Sequence, residues 1–204
     1  MARTKPADQR REDLLDAAQA AILERGIGAT TVEHITTGAG VAKGTFYLYF
    51  RSKEDAVAAV QHRYGSRFAR QLADAIDRAG DDWAARIDAC VAASFQDYVA
   101  ELTLHDVLFA QVSQGHRGEL DESRDERIGI FRELLADGVA AGAYDVPDVD
   151  TTALLLFSAI HGTFGPIWIG IEPRAQADLV DAAQLVFRRT VGLPDPPREL
   201  PNKV

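Results

Sequence analysis

Residues 40 to 54 read Gly40-Val41-Ala42-Lys43-Gly44-Thr45-Phe46-Tyr47-Leu48-Tyr49-Phe50-Arg51-Ser52-Lys53-Glu54. The stretch predicts a short helix from Ala42 to about Tyr49, with Phe46 and Phe50 turned inward and Tyr47 and Tyr49 outward. Gly38 and Gly40 break the helix ahead of it. Two short helices joined by a tight glycine turn form a helix-turn-helix, a motif whose second helix enters the DNA major groove. A helix of about two turns can present its N-terminal end to that groove.

The side chains suit such a contact. Lys43, in the first turn, can reach a phosphate or the O6/N7 edge of guanine. Gly44 lets the backbone come close to the sugar-phosphate chain. Thr45 carries a hydroxyl and a methyl, so it can donate, accept or pack on a thymine methyl. The phenols of Tyr47 and Tyr49 are good phosphate donors. Lys53 opens the next helix and adds a second phosphate clamp at its positive end. Taken one by one, these residues also fit an ordinary solvated helix, and Tyr49 divides between packing and contact. Val41, Phe46 and Phe50 read as core of a small domain.

Working outward, every segment with a clear period is helical. A first helix runs from about Asp8 to Arg25, with Leu14, Leu15, Ala18 and Ile22 inward and Gly26 as its stop. Thr30-Thr31-Val32-Glu33 matches a capping box and opens a second helix that buries Val32 and Ile35. Ser52 starts a fourth, with Asp55 at its third position and no strong breaker before Gly80. Asp81 and Asp82 then cap a helix bearing Trp83, Ile87, Val91, Phe95 and Tyr98, and a short one follows from Leu102 to about Val112. After the loop at Gln114 to Gly118 comes a helix with Ile128, Phe131, Leu135 and Val139. Thr151 to Phe164 is apolar nearly all round, the mark of a helix covered on most sides. The last helix opens at Pro173, buries Leu179, Ala183, Val186 and Phe187, and stops at Gly192. The fold class is all-α, with about nine helices in all. The expected organisation is a DNA-binding domain over residues 1–55, a larger domain over 56–193, and a flexible Pro-rich tail over 194–204.

Composition agrees. Of 204 residues, 47% are apolar and 26% charged, a globular balance. The net charge of −9 argues at first against nucleic acid, but its distribution points the other way. Lys/Arg and Asp/Glu are equal in number through Asp55, so the whole deficit falls beyond it. A neutral head on an acidic body suits a protein that touches phosphates at one end only. The single cysteine, Cys90, excludes an internal disulfide and a multi-cysteine zinc site. No signal peptide and no stretch able to span a bilayer is found, so the expectation is a soluble, cytoplasmic protein without a membrane partner.

Asp97, Glu101 and His105 fall at i, i+4 and i+8 on one helix face and raise a metal site, although such spacing arises readily on any solvated face; no metal is assigned. Cys90 and the acidic runs Asp121-Glu122 and Asp125-Glu126 read as core and as a solvated helix start. Gly-x-Ser-x-Gly, the phosphate-binding Gly-x-x-x-x-Gly-Lys and His-Glu-x-x-His are all absent, so neither an enzyme nor a cofactor is expected.

The run from about Asp8 to Asp55 resembles the DNA-binding domain of the TetR family of bacterial repressors. The small-residue turn, Lys43-Gly44-Thr45-Phe46-Tyr47, the aromatic Phe50 and Ser52-Lys53-Glu54 carry the likeness. It implies DNA contacts at Thr31, Lys43, Gly44, Thr45, Tyr47, Tyr49 and Lys53, and a homodimer formed by the last two helices. Leu155, Ala159, Leu179, Ala183 and Phe187 are the candidate interface residues. A small-molecule pocket among the middle helices is implied too, with His105, Phe109, His161, Phe164 and Trp168 as candidate lining. The resemblance further implies a repressor that holds a palindromic double-stranded operator and is released by an unidentified small-molecule effector. The fourth helix would transmit that release, since it starts against the DNA-binding domain and runs towards the pocket. An activator or a ligand-insensitive regulator of the same architecture is the alternative, with an all-helical binding module or enzyme behind it. Two departures stand out: Ala42 supplies no side-chain cap, and Thr36 and Gly38 occupy positions where alanine is common.

Overall fold

In the computed structural model the described residues are 7–109, 119–163 and 173–195. Among them the chain forms nine helices and no strand: α1 (Ala7–Ala29), α2 (Val32–Gly38), α3 (Lys43–Phe46), α4 (Lys53–Arg78), α5 (Trp83–Ala100), α6 (Leu102–Phe109), α7 (Glu119–Ala140), α8 (Val149–His161) and α9 (Pro173–Thr190). They pack as two compact units. The first holds α1 to α3, α4 as far as Arg67, and α6; the second holds α4 from Phe68, α5, α7 from Asp125, α8 and α9. The first unit therefore extends past Asp55. Beyond Asp195 the expected Pro-rich tail lies outside the described residues, as do Phe164, Trp168 and the loop at Gln114 to Gly118.

The first unit is built on one apolar cluster. Leu14, Leu15, Ala18 and Ile22 from α1 meet Ile35 of α2, Phe46 of α3, Phe50, and Val57, Val60 and Tyr64 of α4. Leu104 and Leu108 of α6 complete it, which is why α6 belongs here. Polar ties hold the frame. The Arg63 guanidinium donates to Asp16 at 2.7 Å and to Gln19 at 2.8 Å on α1. Gln61 donates to the Leu108 carbonyl at 3.0 Å.

Helix ends follow local chemistry. Gly26 takes φ 75°, a left-handed value that glycine tolerates, and interrupts α1 where the sequence predicts a stop. The start of α2 differs by one residue from the expected capping box. Thr31 is the cap, accepting from the His34 amide at 3.2 Å. Thr30 turns its hydroxyl back to the Gly26 carbonyl at 2.8 Å and is buried, so it is unable to cap and Glu33 does not close the box. Gly38 has its own use: a Cβ there would stand 3.2 Å from that of Ala17, so glycine lets α2 settle closely on α1.

In the second unit, α5 and α9 are joined at Asp88. Its carboxylate accepts a paired contact from Arg188, and its backbone carbonyl accepts from Gln184 at 3.0 Å. Ala153, Leu156, Phe157 and Ile160 are the buried stripe of α8, at the three- and four-residue spacing of a helix face. Phe157 meets Phe131 of α7 edge to face at 5.9 Å. Tyr144 packs edge-on against Trp83 and donates its phenol proton to the Trp83 carbonyl at 2.8 Å. Its ring occupies the space beside Gly138 that any side chain there would fill. The Cys90 thiol is wholly buried, and that desolvation pushes its pKa up and keeps it protonated.

Candidate nucleic-acid interface

The turn that sets up the site lies between α2 and α3. Ala39 caps α2 with an amide donated to Ile35, Gly40 adopts φ 64°, and the Val41 amide returns to the Thr36 carbonyl at 2.9 Å. A residue with a Cβ is disfavoured at that φ, so the glycine is what permits so short a link. Ala42 stands at the α3 cap with no side-chain bond, as its identity requires.

With four residues, α3 is too short to be stable by its own hydrogen bonds. Packing holds it instead. Phe46 is 0% and Phe50 3% exposed, and their rings lie 5.5 Å apart in the core of the first unit. Truncating a phenylalanine so placed costs about 3–5 kcal/mol, several times what one hydrogen bond contributes. The helical turn continues past Phe46, with the Leu48 amide donating to Thr45 and the Tyr49 and Phe50 amides donating to Phe46.

Burying Phe46 and Phe50 fixes what faces outward. Lys43 and Gly44 are exposed, Tyr47 is half exposed, and Thr45 is partly covered. Among the described residues Lys43 makes no ion pair. Among the described residues, no atom beyond Gly44's chain neighbours and its own helical turn lies within 4 Å of the place where a Gly44 Cβ would stand. Thr31 is exposed at the head of α2, its oxygen engaged as a cap while its hydroxyl proton remains a donor. Tyr49 departs from the outward expectation: it is partly buried and packs against the core cluster. Lys53 is held as well, its amine donating to the Ile27 carbonyl at 3.1 Å and the Gly28 carbonyl at 3.5 Å.

A cleft of about 1010 Å³ opens between α1 and α2, lined by Asp13, Asp16, Glu24 and Glu33 together with Arg25 and His34. Four carboxylates make it unsuited to phosphate. It contains none of the expected pocket residues. Of those, His105 and Phe109 lie in the first unit, where their rings are 5.0 Å apart and both meet Tyr64. His161, in the second unit, stacks on Phe157 at 5.4 Å.

Two further expectations shift. Asp97 and His105 do not share a helix, since α5 ends at Ala100 and α6 begins at Leu102; Glu101 between them pairs with Arg67 at 3.2 Å. Among the described residues no group of acidic, histidine or cysteine side chains is arranged to hold a metal. On the expected dimer face, Leu155 is 62% exposed and Ala159 is exposed, but Phe187 is 2% exposed inside its own unit. Its neighbour Val186, at 55%, takes the outward position. Leu179 and Ala183 are partly covered.

Residues 14–60 match the family model described as bacterial regulatory proteins, tetR family, and residues 80–165 match the tetracyclin repressor-like C-terminal domain. The chain belongs to the TetR family. As a TetR-family protein it is a DNA-binding transcriptional regulator, and the matched N-terminal segment contains the whole outward face of α3. Among its relatives, the HTH-type transcriptional repressor KstR2 of Mycobacterium tuberculosis is 27% identical over 169 residues, 81% of either chain. The fatty acid degradation regulator FadR of Bacillus halodurans shares the fold at a TM-score of 0.73 and 21% identity, over 91% of this chain and 96% of that one. FadR of Bacillus subtilis, solved in complex with stearoyl-CoA, does so at 0.69 and 23%, over 88% and 97%. Among the described residues of this TetR-family chain, no helix is long and apolar enough to cross a membrane.

Proposed function

We propose that the protein is a homodimeric repressor that holds a palindromic operator through α3 and lets go when a small molecule binds. The observation that carries this reading is the outward face of α3. Lys43, Thr45 and Tyr47 are presented on a helix anchored in the core by Phe46 and Phe50, and Gly44 leaves open space for a backbone to approach. Lys43 and Thr45 read base edges; Tyr47, Thr31 and Lys53 hold phosphates. Lys53 reaches a phosphate either beside or in exchange for its carbonyl partners.

The exposed stripe of α8, with Leu154, Leu155 and Ala159, supports a second copy as its cover, together with Val186 on α9. Release follows from α4, a single helix that supplies residues to both units. A ligand that favours one arrangement of the dimer weakens DNA binding by the factor with which DNA weakens its own, about 5- to 150-fold for common couplings. An acyl-CoA thioester is the effector class to try first, because a regulator of like fold binds stearoyl-CoA. The assigned activity is binding, with no covalent step.

The test is a gel shift on the DNA beside the protein's own gene, repeated with stearoyl-CoA and with a panel of small molecules that raise the melting temperature. A specific complex dissolved by one of them is expected. Specific binding that no stabilising ligand alters would make the protein a ligand-insensitive regulator, and absence of any specific complex would remove the DNA assignment.

A further inference from the structure

Leu48 is 79% exposed, more than any other large apolar side chain among the described residues. Its amide donates to the Thr45 carbonyl at 3.2 Å, so it continues the turn of α3 and stands three and four residues after Thr45 and Gly44. On a helical turn those spacings share a side. The inner side is filled by Phe46 and Phe50, whereas Lys43, Gly44, Tyr47 and Leu48 are all exposed. Leu48 thus sits on the face assigned to DNA, without contributing burial to its own unit. It offers neither a charge nor a hydrogen bond, so it does nothing for a phosphate. In the major groove the apolar feature of the base edges is the thymine C5-methyl group.

We propose that Leu48 reads sequence by packing against the C5-methyl of one thymine in each half-site. This inference rests on the DNA-binding function proposed for α3 and adds a specificity-determining residue to it. Lys43 and Thr45 are the base-edge contacts already assigned, and Leu48 selects thymine by shape and apolarity at a neighbouring base pair.

The test uses the full chain and an operator obtained by selection from random DNA. Each thymine is replaced in turn by deoxyuridine, which removes the methyl and keeps the pairing edge. For the native chain, one position per half-site is expected to lose affinity by about fourfold, the value of one buried methyl group, and roughly 16-fold when both half-sites are changed. Leu48→Ala is expected to fold normally, since its side chain is exposed, and to bind thymine and deoxyuridine operators alike. Equal sensitivity to deoxyuridine in the native chain and Leu48→Ala overturns the proposal, as does a native chain indifferent to every replacement. Loss of self-association in Leu48→Ala with unchanged thymine preference overturns it too, and assigns the leucine to a protein contact instead. A chain that selects no DNA at all overturns the DNA-binding function, and this inference with it.

Discussion

The ammonium group of Lys53 donates to the carbonyl oxygen of Ile27 at 3.1 Å, joining the first turn of α4 to the last turn of α1. A cation at the start of α4 is disfavoured by the helix dipole, and the two carbonyls it meets offset that cost. Lys53→Met keeps the stem and removes the charge. It is expected to lower stability by about 1.5 kcal/mol, the worth of a hydrogen bond to a charged group. It should also flatten the salt dependence of DNA binding by about one unit if the amine reaches phosphate. Chemical denaturation reads the first effect; an unchanged midpoint would contradict the tie.

Gly44 separates fold from function. Among the described residues, no atom beyond its chain neighbours and its own helical turn lies within 4 Å of an added Cβ, and its φ is not in the left-handed region. Gly44→Ala should therefore leave stability intact or raise it by about 0.5–1 kcal/mol, through helix propensity. Operator affinity should fall, because the methyl group occupies the space of the approaching DNA backbone. Equal affinity for native chain and variant, measured by fluorescence anisotropy, would remove the close-approach argument.

Gly138 makes the opposite case. A Cβ there would lie 1.9 Å from the Tyr144 ring, so Gly138→Ala must displace that ring from Trp83. A loss of about 1–3 kcal/mol is expected from overpacking. Tyr144→Phe, which keeps the ring and removes only the bond to the Trp83 carbonyl, should cost about 1 kcal/mol. Thermal melts of the two variants check the order; a Gly138→Ala protein as stable as the native chain would contradict the packing of Tyr144 on Trp83.

Asp148 caps α8, accepting from the Thr151 amide at 3.0 Å and the Thr151 hydroxyl at 2.7 Å. The backbone bond foremost, then the hydroxyl, hold its carboxyl below the ordinary value of 3.8. A carboxylate with a depressed folded pKa contributes stability that is present above its unfolded pKa and is lost as pH falls through the folded one. The melting-temperature difference between the native chain and Asp148→Ala should thus be constant near neutrality and shrink below about pH 3.8. A difference that stays the same down to pH 2 would show that ionisation is not what makes the cap.

Much of this fold is legible in the sequence because it is local. Gly26, Gly40 and the Phe46/Phe50 pair mark turn and core by their own chemistry, and α3 follows from them. What stays open depends on partners distant in the chain. Thr30 and Thr31 both look like caps, and only the contact of Thr30 with Gly26 decides between them. Phe187 and Val186 are adjacent and both apolar, so composition alone does not say which faces the core, and the anchor that sets the rotation of α9, Arg188 on Asp88, joins residues a hundred apart. The place of α6 in the first unit likewise rests on Leu104 and Leu108 meeting residues of α1 and α4. Leu48 is hard to single out for a different reason: it lacks the polar groups by which contact residues are usually recognised, and its exposure is visible only in three dimensions.

The role of α3 is tested most sharply by the affinity of the full chain for its selected palindrome and for a scrambled duplex, at matched salt, compared with a Lys43→Ala/Tyr47→Ala variant. The native protein should prefer the palindrome by about 1,000-fold or more, with half-site centres roughly 34–36 Å apart. The double variant should lose that preference while remaining folded, since Lys43 is exposed and half-exposed Tyr47 gives up only its edge-on contact with Phe46, worth about 0.5–1.5 kcal/mol. A native chain that binds both duplexes equally, or a double variant that retains full preference, would contradict the assignment of α3 as the DNA-reading helix.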